Sequence, residues 1–221
     1  MKIKAVFFDI DGTLVDSNDM HVLAWLEAFA SVGAVFDSQA VHDQIGKGAD
    51  MLIPALLPGL DHAAQEKLSA VRADIFKQKY LADAKPFDHA HELLAHAHDL
   101  EQMVVLASSA SKAELEHYLD LLDARDLVCA TTSSDDVKHT KPAPDIFASA
   151  LAKLQGVLPN EVVVVGDTPY DIEAAAKCGI QAVALRSGKF SDAALHQAGA
   201  VAIYDDAATL LAQYADSPLA N

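Results

Sequence analysis

Asp9 and Asp11 stand two residues apart, where the apolar run Val6-Phe7-Phe8 breaks into Gly12-Thr13. Carboxylates this close repel unless something offsets the repulsion, so such pairs usually mark a metal site or an acid/base site. A turn that merely ends a strand is the plain alternative, since Asp and Gly favour turns. Three further segments weigh against it. Val104-Val105-Leu106-Ala107-Ser108-Ser109 is an apolar run ending in hydroxyls, and Lys141-Pro142-Ala143-Pro144-Asp145 holds a cation at a stiff turn. Val165-Gly166-Asp167-Thr168-Pro169-Tyr170-Asp171 ends another apolar run in two more acids. Each has an ordinary reading by itself: Ser108 as a helix cap, Lys141 as a solvated cation, Asp167 and Asp171 as acids at a helix N-terminus. Their occurrence together, in this order, does not.

Positioning such groups requires a scaffold that gathers distant segments. Short apolar runs alternate with helical patterns, which predicts a parallel sheet with helices on both faces. Strands are expected at 4–8, 102–107, 161–165 and 182–185, with weaker candidates at 127–130 and 200–203. The valine run 162–165 suits a central strand buried on both faces. In open α/β sheets ligands gather beyond the carboxyl ends of the strands, and three of these runs end in the polar segments above.

Between the first two strands lies a stretch too long for an ordinary βα loop. Val22, Trp25, Leu26 and Phe29 recur at helical spacing after Ser17, the expected N-cap. Ile45-Gly46-Lys47-Gly48 breaks the pattern, and helices are expected again at 51–57 and 63–81. Residues 16–86 therefore read as a helical cap module, with 1–15 and 87–221 forming the core domain. Ser111-Lys112-Ala113-Glu114 matches a capping box opening a helix at 112–122, and Pro144-Asp145 starts another through 154. The last dozen residues read as a short helix and a frayed tail.

Composition narrows the partners. The 221-residue chain is 52% hydrophobic, enough for a sizeable core, and its formal net charge is -16. That charge speaks against nucleic acid and anionic membrane surfaces, and a phosphorylated ligand would need a local cation, either Lys or a bound metal. No apolar stretch reaches the roughly 18 residues of a membrane span, and Asp9 interrupts the apolar start too early for a signal peptide. Cys129 and Cys178 form no metal pattern or disulfide framework. The protein is expected in the cytoplasm, as a monomer or weak homodimer.

The order, spacing and strand context of the four polar segments resemble the haloacid dehalogenase superfamily, over nearly the whole chain and including an insertion where that family carries a small helical cap. The resemblance implies a Rossmann-like core and an aspartyl-phosphate mechanism. Asp9 would be the nucleophile, and Asp11 would protonate the leaving oxygen and then deprotonate the hydrolytic water. Ser108, Ser109, Lys141 and the backbone near Gly12 would hold phosphoryl oxygens. Asp9, Asp167 and the main-chain carbonyl of Asp11 would bind Mg2+, with Asp171 acting directly, through water or by orienting Lys141.

An acid at position 11 fits phosphatases and phosphomutases, because an ester oxygen needs a proton donor; dehalogenases lack it. The implied activity is a Mg2+-dependent phosphatase for a small phosphorylated metabolite, phosphoglycolate-like or a sugar phosphate. A sugar phosphomutase is the alternative: His21, Trp25 and the segment 107–112 are similar to β-phosphoglucomutases. Against it, Gly166-Asp167 stands where those enzymes usually carry Glu-Asp, and the loop 46–50 lacks an arginine for a second phosphate. A noncatalytic phosphometabolite-binding protein is a remote alternative, since every catalytic position is filled. Lys47 and His21 are candidate substrate contacts, although an exposed loop lysine and a structural histidine are equally ordinary.

Two patterns mislead. In His91-Glu92-Leu93-Leu94-Ala95-His96 the histidines are five residues apart, which separates them by about 140° on a helix and prevents a shared ion. Gly46-Lys47-Gly48 lacks the third glycine and preceding strand of a dinucleotide fingerprint.

Overall fold

The computed structural model describes residues 2–220; Met1 and Asn221, the outer ends of the expected core segments, lie outside them. Six parallel strands form the central sheet in the order β5-β4-β1-β6-β7-β8. They are β1 (Ala5–Phe8), β4 (Met103–Ala107), β5 (Val128–Thr132), β6 (Val162–Gly166), β7 (Gln181–Leu185) and β8 (Ala202–Tyr204). Every run expected as a strand is one, shifted by a residue or two at its ends.

Alternation of side chains across the pleat explains the core. Val6, Phe8, Val163 and Val165 face one hydrophobic cluster, while Ala5, Phe7, Val162 and Val164 face the other. The first cluster is covered by α5 (Ala90–Asp99), α6 (Lys112–Leu121) and α10 (Ala207–Ala212). The second is covered by α7 (Asp145–Lys153), α8 (Pro169–Lys177) and α9 (Asp192–Ala198). Burial on both faces is why the central strands read as unbroken apolar runs.

The chain leaves the sheet through β2 (Val15–Asp16) and returns through β3 (Lys85–Pro86), which pair antiparallel as a short ribbon. Between them run α1 (Asn18–Ser31), α2 (Ser38–His42), α3 (Ala49–Leu56) and α4 (His62–Lys79). These helices build a separate cluster around Val22, Trp25, Phe29, Leu52, Leu68 and Phe76. The short α2 was not expected; Asp37 caps it by accepting from the Ala40 N–H at 2.7 Å.

Two local expectations need correction. Ser17 sits at the N-cap of α1 but makes no capping bond, because its hydroxyl is drawn to Asp11. The C-terminal tail is not frayed: Tyr214, Ser217 and Leu219 are buried. Tyr214 donates to Gln102 Oε1 at 2.5 Å, and Gln102 donates to the Leu219 carbonyl at 2.7 Å. A buried glutamine on the core thus anchors a segment whose local sequence looks loose. The capping box Ser111/Glu114 forms as expected.

Candidate active site

The strand order places β1 between β4 and β6, in register, with Phe8 opposite both Leu106 and Val165. Asp9, Ser108 and Asp167 each follow one of these strands, so three segments far apart in sequence meet at one sheet edge. Lys141 enters from the loop before α7 and is almost fully buried. Its ammonium lies 2.5 Å from Asp9 Oδ1 and 2.7 Å from Asp171 Oδ1, and donates to the Ala107 carbonyl at 2.8 Å. All three of its N–H bonds have partners.

Asp167 is pinned from both sides. Thr13 donates to Oδ1 at 3.0 Å and the Asn18 amide donates to Oδ2 at 2.9 Å. Gly12 has φ +79°, and a Cβ there would fall 2.2 Å from Asp167 Oδ2. Glycine is thus required for its backbone conformation and for this close approach. Asp171 also anchors the start of α8. Its Oδ2 accepts from the Thr168 hydroxyl at 2.6 Å and the Thr168 N–H at 3.1 Å, completing the capping box of that helix.

Oxygens of Asp9, Asp167 and Asp171 lie within 4.8 Å of one another, all buried, with one ammonium against three carboxylates. Burial pushes the Asp9 carboxyl up to about 7, assisted by Asp171 and Asp11 and opposed by Lys141. Burial and the neighbouring Asp171 and Asp9 charges also hold Asp167 well above the usual carboxylate range. Hard oxygen donors with surplus negative charge fit a divalent cation such as Mg2+.

Asp11 occupies a different environment. Its Oδ1 accepts from Ser17 Oγ at 2.6 Å, His21 Nε2 at 2.8 Å and Tyr118 Oη at 2.9 Å. Burial alone would raise this carboxyl, but His21 and the two hydroxyls outweigh it and hold Asp11 well below the ordinary range. Its carboxylate stands outside the acidic trio, so among the predicted metal-site side chains the structure clusters Asp9, Asp167 and Asp171. His21 is buried, stacks on Phe76 at 4.0 Å between ring centres, and meets Arg72 at Nδ1. Because a guanidinium only donates, Nδ1 accepts and the Nε2 proton points at Asp11. Arg72 also donates to Glu114 on α6 at 3.2 Å.

Ser108 Oγ is buried and accepts from the Ala110 N–H at 3.0 Å, while Ser109 Oγ donates to the Gly46 carbonyl at 3.1 Å. Lys47 is neither free nor fully exposed: it donates to Gln44 Oε1 at 2.6 Å and lies 4.4 Å from the Tyr170 ring centre. Asp9, Asp11, His21 and Ser108 border a small cavity of about 40 Å³. Its walls share Trp25, Lys47, Arg72 and Ser109 with a larger cavity of about 280 Å³ between the inserted helices and the core.

Sequence reasoning passed over Arg72, Tyr118, Asn18 and Thr13. A signal existed for Arg72, which is four residues from both Leu68 and Phe76, a charge on the stripe that α4 buries. Tyr118 carried none, since it follows the core pattern of Leu115 and Leu119. In the histidine pattern on α5, His91 bonds the Leu122 carbonyl at 2.9 Å and His96 packs edge-on against Tyr214.

The sequence pattern of the haloacid dehalogenase-like hydrolases matches residues 3–179, and the chain belongs to that family. It is similar to the fructose-1-phosphate phosphatase YqaB of Escherichia coli K12, with 33% identity over 82% of this chain and 95% of the relative. The phosphoglycolate phosphatase of Rhodospirillum rubrum is 29% identical over 94% of this chain and 89% of its own length. A crystal structure of a hydrolase from Pseudomonas syringae superposes with a TM-score of 0.90 at 28% identity, covering 96% of this chain and 98% of that one. The Rossmann-like α/β fold and the expected class, a phosphoric monoester hydrolase, therefore hold. Among the described residues no helix is long and apolar enough to cross a membrane.

Proposed function

We propose that this hydrolase is a Mg2+-dependent phosphatase that cleaves a small phosphomonoester, a sugar phosphate or a phosphoglycolate-like molecule, through an aspartyl-phosphate on Asp9. The observation that carries the reading is the convergence of Asp9, Asp11 and Ser108 on one small cavity, with Lys141 bonded to Asp9 and the buried acids Asp167 and Asp171 clustered beside it.

Lys141 holds Asp9 Oδ1, so Oδ2 is the nucleophile. It attacks phosphorus, the P–O bond to the alcohol breaks, and the leaving oxygen takes a proton from Asp11, which must first take that proton up because its three donors favour the carboxylate in the closed structure. Asp11, now a carboxylate held by its three donors, takes a proton from water as that water attacks the acyl phosphate. Inorganic phosphate leaves, Asp9 is restored, and Asp11 is again protonated. As charge moves from Asp9 to the phosphoryl oxygens, Lys141 follows it, while Ser108, Ser109 and the Gly12 backbone hold the remaining oxygens. Asp9, Asp167, the Asp11 carbonyl and Asp171 would hold Mg2+, with Asp171 acting directly, through water or by way of Lys141. The ion supplies the positive charge that lets an anionic substrate approach anionic carboxylates.

Residues 16–86 act as a cap in this reading. Gly48 N–H donates to Thr140 Oγ1 at 2.8 Å, Thr140 donates to Asp50 at 2.5 Å, and Ser109 reaches Gly46, so the loop 46–50 is latched over the site. Substrate admission then requires the module to lift.

Phosphate release from a panel of phosphomonoesters, with Mg2+, with EDTA and with Asp9→Asn, tests the reading. Release is expected with Mg2+ alone. Release that persists in Asp9→Asn overturns the nucleophile assignment, and isomerisation of a sugar phosphate faster than phosphate release makes the enzyme a mutase.

A further inference from the structure

Asn18 opens α1 and is almost fully buried, an uncommon place for a side chain with two donors and an acceptor. Its Nδ2 donates to Asp167 Oδ2 at 2.9 Å. Its Oδ1 is buried and, among the described residues, has no hydrogen-bond partner. An unpaired polar atom in the interior costs about 1–3 kcal/mol, so this oxygen calls for a donor that the protein itself does not supply.

The position of that oxygen narrows the choice of donor. Both terminal atoms of an amide hang on one carbon, so Oδ1 lies within an amide's width of the atom that holds Asp167. The approach is tight: a Cβ on Gly12 would fall 2.2 Å from both Asn18 Nδ2 and Asp167 Oδ2, and one on Gly188 would fall 2.0 Å from Asp167 Oδ2. Thr13 and Asn18 take one lone pair from each oxygen of Asp167, and each oxygen keeps another for a cation. Mg2+ bound by carboxylates keeps several waters, and water on a cation turns its protons outward. A neutral amide oxygen accepts from such a water without adding a fourth negative charge to three acids that share one ammonium.

Resting on the Mg2+-dependent reading of this site, we propose that Asn18 is an outer-sphere ligand of the metal: Nδ2 holds Asp167, and Oδ1 accepts from a water on the ion. The inserted module thereby contributes to a metal site that the core otherwise builds, because Asn18 belongs to α1. Thr13 supplies the comparison, since it holds the other oxygen of the same carboxylate from the core side.

Crystals of wild type grown with Mg2+ and with EDTA test the placement, and calorimetric titration of metal-free protein with Mg2+ tests its worth. The expected Mg2+ structure has a water bonded both to the ion and to Asn18 Oδ1, and the EDTA structure lacks that water. An ion bound directly to Oδ1, an Oδ1 turned away from the ion, or the same water in EDTA each overturns the proposal. In the titrations, Asn18→Leu should raise the Kd for Mg2+ about 10–100-fold, the usual cost of losing a residue that supports a metal's ligands. Thr13→Val removes the other hydrogen bond to Asp167 and should raise it several-fold less. Equal weakening in the two variants overturns the water contact and leaves Asn18 a positioning residue for Asp167. If Asn18→Leu does not fold, the two wild-type crystals decide the question. Wild type that takes up no Mg2+ removes the metal from the phosphatase reading and this proposal with it. Mg2+ uptake without phosphate release from any ester removes the phosphatase and leaves the role of Asn18 standing.

Discussion

Asp9 and Asp11 are two residues apart, yet they belong to differently built regions. Asp9 and Asp167 sit at the ends of packed strands, where the sheet register places them, and Lys141 from the loop before α7 and Asp171 from α8 close on them. Asp11 looks toward the inserted helices, and its network runs through Ser17, His21 and Arg72 of the insertion and returns to the core at Glu114. The first region carries surplus negative charge, three carboxylates against one ammonium. In the second, Asp11 has three hydrogen-bond donors, and its network is complete only while the insertion rests on the core. On the proposed reading, the common chemistry falls to the strand ends, and the part that depends on which alcohol is leaving falls to the inserted helices.

The sharpest way to break this contrast is at the nucleophile. Asp9→Asn should lower phosphate release by at least about 10⁴-fold. Its circular dichroism should match wild type, because an amide relieves the repulsion from Asp171.

Lys141→Met attacks the same region through stability. It leaves three buried carboxylates without their cation, and removing one partner from a buried pair costs about 3–5 kcal/mol. Urea denaturation of the metal-free protein measures that loss, and adding Asp9→Asn to the Lys141→Met chain should recover part of it. Full additivity of the two substitutions would mean that the ammonium and Asp9 are not coupled.

Acidity sharpens the comparison further. The folded Asp9 carboxyl is raised from 3.8 to about 7, so the folded state binds its proton more tightly than the unfolded chain does. Its contribution is fully present below the unfolded value and is lost as pH rises through the folded one. In EDTA, the thermal stability of wild type relative to Asp9→Asn should therefore decline between 3.8 and about 7 and level off above. A difference independent of pH would deny Asp9 this environment.

The smallest effect is expected at the latch. Thr140→Val removes the hydroxyl shared by Gly48 and Asp50, and kcat/KM should fall about 3–10-fold, the worth of one ordinary hydrogen bond. Urea stability of the core should stay within about 1 kcal/mol. A large loss of global stability would make this contact structural and not a latch.

The same division separates what was legible in the sequence from what was not. Strands buried on both faces announce themselves as unbroken apolar runs, and the valine run at β6 is the clearest case. Polar residues ending such runs point to the carboxyl edge of a parallel sheet, which is how Asp9, Ser108 and Asp167 could be grouped before any coordinates. The cross-connections were silent. Tyr118 has the spacing of a core residue, and nothing local says that its hydroxyl reaches Asp11 from α6. Ser17 looked like a helix cap, yet a carboxylate offers its hydroxyl a stronger partner than a backbone N–H.

By itself, then, the sequence determined the alternation of strands and helices, the long helical insertion and the acids at the strand ends, because these follow from periodicity and from breaks in it. Only the tertiary structure decided that Lys141 is shared between Asp9 and Asp171, that Arg72 touches His21 and Glu114, and that two cavities meet at that arginine. Those contacts join residues from separate elements, and their geometry is set by how the helices pack on the sheet, a quantity that no local pattern carries.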